Sequence, residues 1–209
     1  MNRIGVFGGS FDPVHSAHVA LARLALAQLG LNELCWVPAG QPWQKTRTLA
    51  PAADREAMVR LAIDGEPRFT VSRFEIERPG ANYTLDTVRA LQAERPGAQW
   101  FLVIGQDQYA AFHTWHGWQA LLGLVTLAVA NRPDAPLQAD PQLRPFGHQA
   151  VALPMMEMSS TDVRARIAQG LGIDDLVPPQ VARYIEQHGL YQTDSQRLGQ
   201  TRDNHPTRS

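Results

Sequence analysis

Two histidines near the start of the chain, His15 and His18, have the spacing that places both on one face of a helix. They belong to the segment GGSFDPVHSAH, residues 8–18. Imidazoles can donate hydrogen bonds to phosphate oxygens and, when protonated, stabilise charge that develops there. Gly8 and Gly9 carry no side chain, so a phosphate can approach their backbone N–H groups closely. The pattern indicates chemistry on a phosphate.

Two other interpretations of this segment remain open. A double glycine after a strand is often only a tight turn, and the spacing here differs from that of a dinucleotide fingerprint or a P-loop. Histidines three residues apart can also bind zinc, but no Cys, Asp or Glu nearby completes a ligand set. We therefore predict no metal site built from side chains.

A second polar segment lies near the other end of the chain. MSSTDVRARI, residues 158–167, begins a helix with three hydroxyl residues and places Arg164 one turn further on. Ser159 or Ser160 would cap a helix, while its first N–H groups, the remaining hydroxyls, including Thr161, and Arg164 could bind a polyphosphate. The alternative is a well-capped helix with a solvated arginine.

The elements that must position these segments alternate along the chain. Near-continuous apolar runs separated by amphipathic helices predict an α/β fold with a doubly wound parallel sheet. In such sheets ligands bind at the carboxyl ends of the strands, and the first crossover commonly carries the phosphate site. The predicted strands are residues 3–7, 33–38, 69–72, 99–105, 125–130 and 150–154. The predicted helices are residues 15–29, 54–63 and 84–94, one from near residue 160, and 179–188.

Length and composition limit the organisation of the chain. Its 209 residues are enough for one sizeable core, and we expect a single domain over residues 1–191. Residues 192–209 contain almost no large apolar groups, which predicts a disordered tail.

Charge and cysteine content restrict the possible partners. A formal net charge of −1 offers no excess of positive charge for a nucleic-acid backbone or an anionic membrane, so we expect neither as a partner. Cys35 is the only cysteine, which excludes an intrachain disulfide, and we interpret it as a core residue. No apolar run approaches the length of a membrane span, and no signal sequence is evident. A cytoplasmic location is the simplest expectation.

The motifs resemble those of a known enzyme family. GGSFDPVHSAH resembles the signature of the nucleotidyltransferases that carry an HxGH-type motif, in the form typical of bacterial nicotinate-nucleotide adenylyltransferases. Ala17 stands where that motif usually has glycine. SSTDVR resembles the ISSTxxR motif of the same superfamily. The resemblance runs from Ile4 to Tyr191 and includes YTLDT, IGQD, TWHGW, NRP and YIEQHGLY. Gln44 replaces a histidine in the family's PPHK-like segment, but Lys45 is retained.

The resemblance implies a Rossmann-like nucleotidyltransferase fold and a reaction. That reaction joins ATP to nicotinate mononucleotide, giving deamido-NAD and pyrophosphate, with Mg²⁺ bound through the ATP phosphates. The implied catalytic residues are His15, His18 and Arg164. The implied ATP-binding residues are Gly8, Gly9, Ser10, Phe11, His18, Asp107, Ser159, Ser160, Thr161 and Arg164. The implied mononucleotide-binding residues are Lys45, Thr84, Trp115, His116 and Arg132.

Several other functions remain as alternatives. The acceptor could be nicotinamide mononucleotide or pantetheine phosphate, and cytidylyltransferases share the two phosphate motifs. Those pantetheine and cytidyl enzymes more typically have threonine where His15 stands, and they lack the Trp115 region. A class I aminoacyl-tRNA synthetase is disfavoured because the chain is short and has no KMSKS-like segment. A regulator that binds nucleotide without catalysis is a further possibility, and the oligomeric state stays open.

Overall fold

A parallel sheet of six strands lies at the centre of the fold. In the computed structural model, which describes residues 1–40, 49–131, 140–156 and 158–193, the strand order is β3-β2-β1-β4-β5-β6. Every neighbouring pair is parallel. This confirms the predicted doubly wound α/β fold. The strands are β1 Arg3–Gly9, β2 Glu33–Pro38, β3 Phe69–Val71, β4 Gln99–Ile104, β5 Thr126–Asn131 and β6 His148–Ala152.

Eight α-helices connect and follow the strands in the described residues. They are α1 Ser16–Gln28, α2 Ala52–Ile63, α3 Phe74–Glu77, α4 Thr84–Glu94, α5 Gln106–Ala110, α6 Trp118–Leu122, α7 Ser160–Ala168 and α8 Pro179–Gln187. Two short 3₁₀ turns cover Phe112–Thr114 and Pro141–Leu143. Within the described residues, no helix has both the length and the apolar character needed to cross a membrane.

Of the six strands, β6 differs most from its predicted range. It begins at His148 and ends at Ala152, two residues earlier than the predicted range of 150–154. This strand lies at an edge of the sheet, and of its residues only Val151 is buried. An exposed edge strand lacks the apolar run that marks a buried one, so its start left no signal in the sequence.

Apolar layers cover both faces of the sheet. In β1, Ile4 and Val6 pack with α4 residues on one face, whereas Phe7 packs with Trp36 and α1 residues on the other. Cys35 is buried in the first layer, as predicted, and burial raises the pKa of its thiol to about 11. A thiol that stays protonated is a poor nucleophile, so Cys35 is a packing residue.

The strand order reverses between β1 and β4, which fixes where a ligand can bind. β1 pairs with β4 in parallel, with Val6 opposite Leu102. The loops that leave the carboxyl ends of these two strands therefore start side by side. One begins at the glycine pair and the other at Gly105. The predicted phosphate segment consequently lies at the switch point of the sheet.

From residue 194 onward, the predicted disordered tail lies outside the described residues.

Candidate active site

The two glycines at the end of β1 have different structural roles. A Cβ atom at Gly8 would have the main-chain oxygen of Val37, 4.0 Å away, as its nearest neighbour, so the space above Gly8 is open. A Cβ atom at Gly9 would lie 3.0 Å from the ring of Phe11. Gly8 thus leaves room for a ligand, whereas Gly9 lets the Phe11 ring pack against the backbone.

A cavity of about 270 Å³ opens beside these glycines. It joins the glycine loop to three of the residues predicted to bind the mononucleotide, Thr84, Trp115 and His116. The tip of this loop and the TWHGW segment are separated by more than 100 residues in sequence, and the sheet brings them together. The residues that line the cavity include Gly8, Gly9, Ser10, Glu75, Asn82, Tyr83, Thr84, Ile104, Gln108, Trp115 and His116.

Phe11 is a core residue rather than a wall of that cavity. Its side chain is 1% exposed, and its ring centroid lies 5.5 Å from that of Phe7 and 5.2 Å from that of Trp36. The His18 ring meets it edge-on at 5.2 Å. The ring supports His18 from the core. The predicted contact between Phe11 and ATP would therefore involve the main chain of this residue.

The two histidines of the first motif contact each other. His15 caps α1, and its backbone N–H donates to Nδ1 of His18 at 3.2 Å. The two rings stack with their centroids 3.6 Å apart. Because Nδ1 of His18 accepts a hydrogen bond, the neutral ring carries its proton on Nε2. The fold thus selects the tautomer in which Nε2–H of His18 is a hydrogen-bond donor.

His15 is buried and electrically neutral at pH 7. Burial lowers its pKa from 6.5 to about 4, although the Asp162 carboxylate opposes this shift. Its Nδ1 has no hydrogen-bond partner within the described ranges. The sequence left open a protonated His15, but burial favours the neutral ring in the free protein. A phosphate oxygen beside it would supply the missing partner and favour protonation.

The second motif forms the start of α7, as predicted. Ser159 is the capping residue, because its Oγ accepts from the Asp162 N–H at 3.2 Å. Its hydroxyl in turn donates to Oδ2 of Asp162 at 2.6 Å. Ser160 acts elsewhere, since its hydroxyl donates to the carbonyl of Pro13 at 2.9 Å. The cap and the link to the first motif are thus separate roles of adjacent serines.

Arg164 joins the two motifs directly. Its Nη1 donates to the carbonyl of Asp12 at 2.6 Å, and its Nη2 donates to Oγ1 of Thr161 at 3.0 Å. Asp12 and Arg164 are separated by 152 positions in sequence. The amino-terminal end of α7 therefore lies against the loop that precedes α1, and the two predicted phosphate segments form one surface.

A buried arginine supports this surface, and the sequence did not indicate its role. Arg55 is 1% exposed and donates to the carbonyls of Ser10, Gly40 and Ala50 at 2.8, 2.9 and 3.0 Å. It therefore links the loop after β1 to Gly40 and to Ala50. One signal existed in the sequence. Arg55 occupies the apolar face of α2, whose other buried members are Met58, Val59, Ala62 and Ile63.

Glu75 is a second residue that the sequence did not indicate. It lines the cavity, and its Oε1 accepts from the Thr87 hydroxyl at 2.8 Å. Burial raises the pKa of this carboxyl, opposed by the Thr87 hydrogen bond and by the charge of Arg78. The neutral form is thus easier to reach than for an exposed glutamate, and it is the form that suits an anionic ligand nearby.

Of the three remaining predicted residues, the structure describes only Asp107. Asp107 is exposed in the first turn of α5 and does not line the cavity, whereas its neighbour Gln108 does. Lys45 and Arg132 lie outside the described residues. Across the ranges that the structure describes, no three His, Cys, Asp or Glu side chains are grouped so as to hold a metal ion.

Comparison with known proteins decides the family. The family model described as cytidylyltransferase-like matches residues 6–166. A probable nicotinate-nucleotide adenylyltransferase of Methylibium petroleiphilum is 50% identical over 195 residues, which cover 90% of this chain and 92% of the relative. The chain belongs to the nicotinate-nucleotide adenylyltransferase family. Another member, a probable nicotinate-nucleotide adenylyltransferase of Bordetella petrii, is 49% identical over 91% of this chain and its own full length.

Solved structures of another adenylyltransferase share the fold of this chain. The nicotinic acid mononucleotide adenylyltransferase of Plasmodium falciparum, complexed with NaAD, superimposes with a TM-score of 0.76 at 19% identity. The match covers 91% of this chain and 98% of that one. The same enzyme complexed with APC gives a TM-score of 0.74, with the same coverage. At this identity the likeness shows the Rossmann-like fold that the motifs implied.

The lowered pKa of His15 predicts a loss of stability in acid. Between pH 6.5 and about 4 the unfolded chain protonates this residue and the folded chain does not. The free energy of unfolding should therefore fall with pH across that window, by about 3 kcal/mol from this group alone. In urea titrations from pH 7 to 4, His15→Gln should lose less stability than the wild type.

The same substitution at the exposed His188, which follows α8, is the control and should not reduce this loss. Equal pH dependence in His15→Gln and the wild type would contradict the burial of a neutral His15.

Proposed function

We propose that this protein transfers the adenylyl group of ATP to nicotinate mononucleotide, giving deamido-NAD and pyrophosphate. The observation that carries the proposal is the single cavity that joins the glycine loop to Thr84, Trp115 and His116. One end of that cavity suits a phosphate, and the other suits a flat ring with an anionic substituent. Relatives at about 50% identity whose names give this activity support the same reaction.

The ring end of the cavity has features that favour an acid over an amide. Thr84 is the first residue of α4, so its N–H has no acceptor within the helix and lies at the positive end of the helix dipole. Trp115 presents a half-buried indole that packs on Phe112, with the ring centroids 5.0 Å apart. Tyr83 stacks on His116 at 4.2 Å and steadies that turn. A pyridine would stack on Trp115 while its carboxylate accepts from the N–H groups of Thr84 and His116.

The phosphate end of the cavity would hold the reacting groups. The reaction needs no covalent enzyme intermediate. An oxygen of the mononucleotide phosphate attacks the α-phosphorus of ATP, and the bond from that phosphorus to the pyrophosphate oxygen breaks. The attacking oxygen is already ionised, so no general base is needed. The N–H groups of the glycine loop through Ser10 and the Nε2–H of His18 would stabilise the charge on the α-phosphate. His15 would act beside them, with its Nδ1, which has no partner among the described residues, available for a hydrogen bond to a phosphate oxygen.

The leaving pyrophosphate would bind at the start of α7. The first N–H groups of that helix, the hydroxyl of Thr161 and the guanidinium of Arg164 are the donors available there. Ser159 and Ser160 would act mainly through the cap and the link to Pro13. We further propose that Lys45 and Arg132 bind the mononucleotide phosphate or the ATP tail, and that Asp107 binds ribose hydroxyls.

Magnesium would enter this site with its substrate. The donors found around the phosphate end are N–H groups and hydroxyls rather than grouped carboxylates, which suits an ion held by ATP oxygens and water. Bound in this way, Mg²⁺ would neutralise part of the polyphosphate charge. The protein's own residues would then orient the polyphosphate for in-line attack.

Pyrophosphate release tests the proposed reaction. Mg-ATP is supplied with nicotinate mononucleotide, nicotinamide mononucleotide or phosphopantetheine in parallel. The acid-selective features around Thr84 predict the highest kcat/KM for nicotinate mononucleotide. Preference for either other acceptor would contradict the substrate pocket, and no release with any of the three would favour a nucleotide-binding regulator.

His18 supplies the sharpest test of the mechanism. Removing a donor that acts on the transition state costs roughly 10²- to 10³-fold in turnover, so His18→Ala should lower kcat by about that factor. The KM for ATP should change only a few-fold. His18→Gln keeps an amide N–H donor and should recover part of the loss.

The exposed His188→Ala serves as the control and should match the wild type. Unchanged turnover in His18→Ala would overturn the assignment of His18 to the reacting phosphate.

A further inference from the structure

Tyr191, the last residue of the YIEQHGLY segment, bonds to the first motif from the opposite end of the chain. Its hydroxyl donates to Oδ1 of Asp12 at 2.8 Å, across 179 positions in sequence. Asp12 is fully buried and lies between the glycine loop and the histidine helix. The same Oδ1 accepts from the backbone N–H of Ala50 at 3.1 Å. One carboxylate oxygen thus ties three distant segments together.

We propose that Tyr191 is a positioning residue of the active site, which acts through Asp12 on the first crossover and on Arg164. The inference rests on the function proposed above. The connection is short: the phenol anchors the Asp12 side chain, and the Asp12 carbonyl anchors the Arg164 guanidinium at 2.6 Å. A shift of Asp12 would therefore move both phosphate-binding segments.

Backbone conformation marks the same place independently. Among the described residues, two that are not glycine have a positive φ: Phe11 at +45° and Tyr191 at +64°. One adjoins Asp12 in sequence, and the other bonds to its side chain. This region of φ costs non-glycine residues about 1 kcal/mol or more, and it persists where the surroundings enforce it. Strain on both sides of Asp12 indicates that the geometry of this contact is imposed by the fold.

Electrostatics keep the phenol in its donor role. Burial raises the pKa of Tyr191, and the charge and hydrogen bond of Asp12 raise it further. The charges of Arg164 and Arg55 oppose these effects. Tyr191 therefore remains protonated at the pH of any assay and donates to Asp12 throughout the reaction.

A second tyrosine in the same carboxyl-terminal region provides a matched control. Tyr184, in α8, donates from its hydroxyl to Oδ1 of Asp54 at 2.9 Å. Asp54 belongs to α2, outside both phosphate motifs. Each Tyr→Phe variant thus loses one phenol-to-carboxylate hydrogen bond of nearly equal length. They differ in whether the carboxylate lies in the first crossover.

Steady-state kinetics of Tyr191→Phe, Tyr184→Phe and the wild type test the inference. Assays are run well below the lower of the two variants' unfolding midpoints, so that loss of fold does not enter. Tyr191→Phe should lower kcat about tenfold, as expected for one displaced charge-assisted hydrogen bond, with a smaller change in the KM for ATP. Tyr184→Phe should stay within about twofold of the wild type.

Amide hydrogen exchange gives a readout that does not require activity. In Tyr191→Phe, exchange should accelerate at the Ala50 amide and in residues 10–19, which include the crossover, whereas in Tyr184→Phe it should not. Equal kcat values for the two variants, or unchanged exchange in the crossover, would overturn the role of Tyr191. An inactive wild type would instead overturn the proposed function, and the exchange data would still decide whether Tyr191 positions the crossover.

Discussion

The hydrogen bonds from α7 to the two carbonyls before α1 hold the site together. Ser160 donates to Pro13 and Arg164 donates to Asp12, at 2.9 and 2.6 Å. These bonds hold the two proposed phosphate-binding segments against each other as one surface, although Asp12 and Arg164 are 152 positions apart in sequence. A side-chain donor that is satisfied by main-chain oxygen also keeps its position when substrate is absent, which lowers the reorganisation needed for catalysis.

The proposed site would bind a polyanionic substrate through backbone dipoles and neutral hydrogen-bond donors more than through charged side chains. Burial keeps His15 neutral, and contact with the His15 backbone sets the tautomer of His18. Glu75 lines the cavity that would bind the nicotinate carboxylate, and burial raises the pKa of its carboxyl. A formal net charge of −1 fits such a design, since attraction is built locally from N–H groups and a few guanidinium groups.

Local pattern predicted the fold and the two motifs, while contacts across the chain did not follow from it. Apolar runs located five of the six strands closely, because buried strands leave a strong signal; the exposed edge strand β6 did not. The glycine and histidine spacing correctly indicated the crossover. The Phe11 ring is buried against Trp36, which is distant in sequence, so the sequence did not show that any contact of Phe11 with ATP would involve its main chain. Arg55 and Tyr191 were missed because their partners are defined only by the tertiary fold.

In the proposed reaction, both motifs hold one polyphosphate. The most direct measurement is a crystal structure of this protein with Mg²⁺ and a non-hydrolysable ATP analogue. We expect the α-phosphate above Gly8 within hydrogen-bond distance of Nε2 of His18, and the outer phosphates at the start of α7 beside Arg164. A polyphosphate that contacts the glycine loop but leaves the start of α7 and Arg164 untouched would contradict the account.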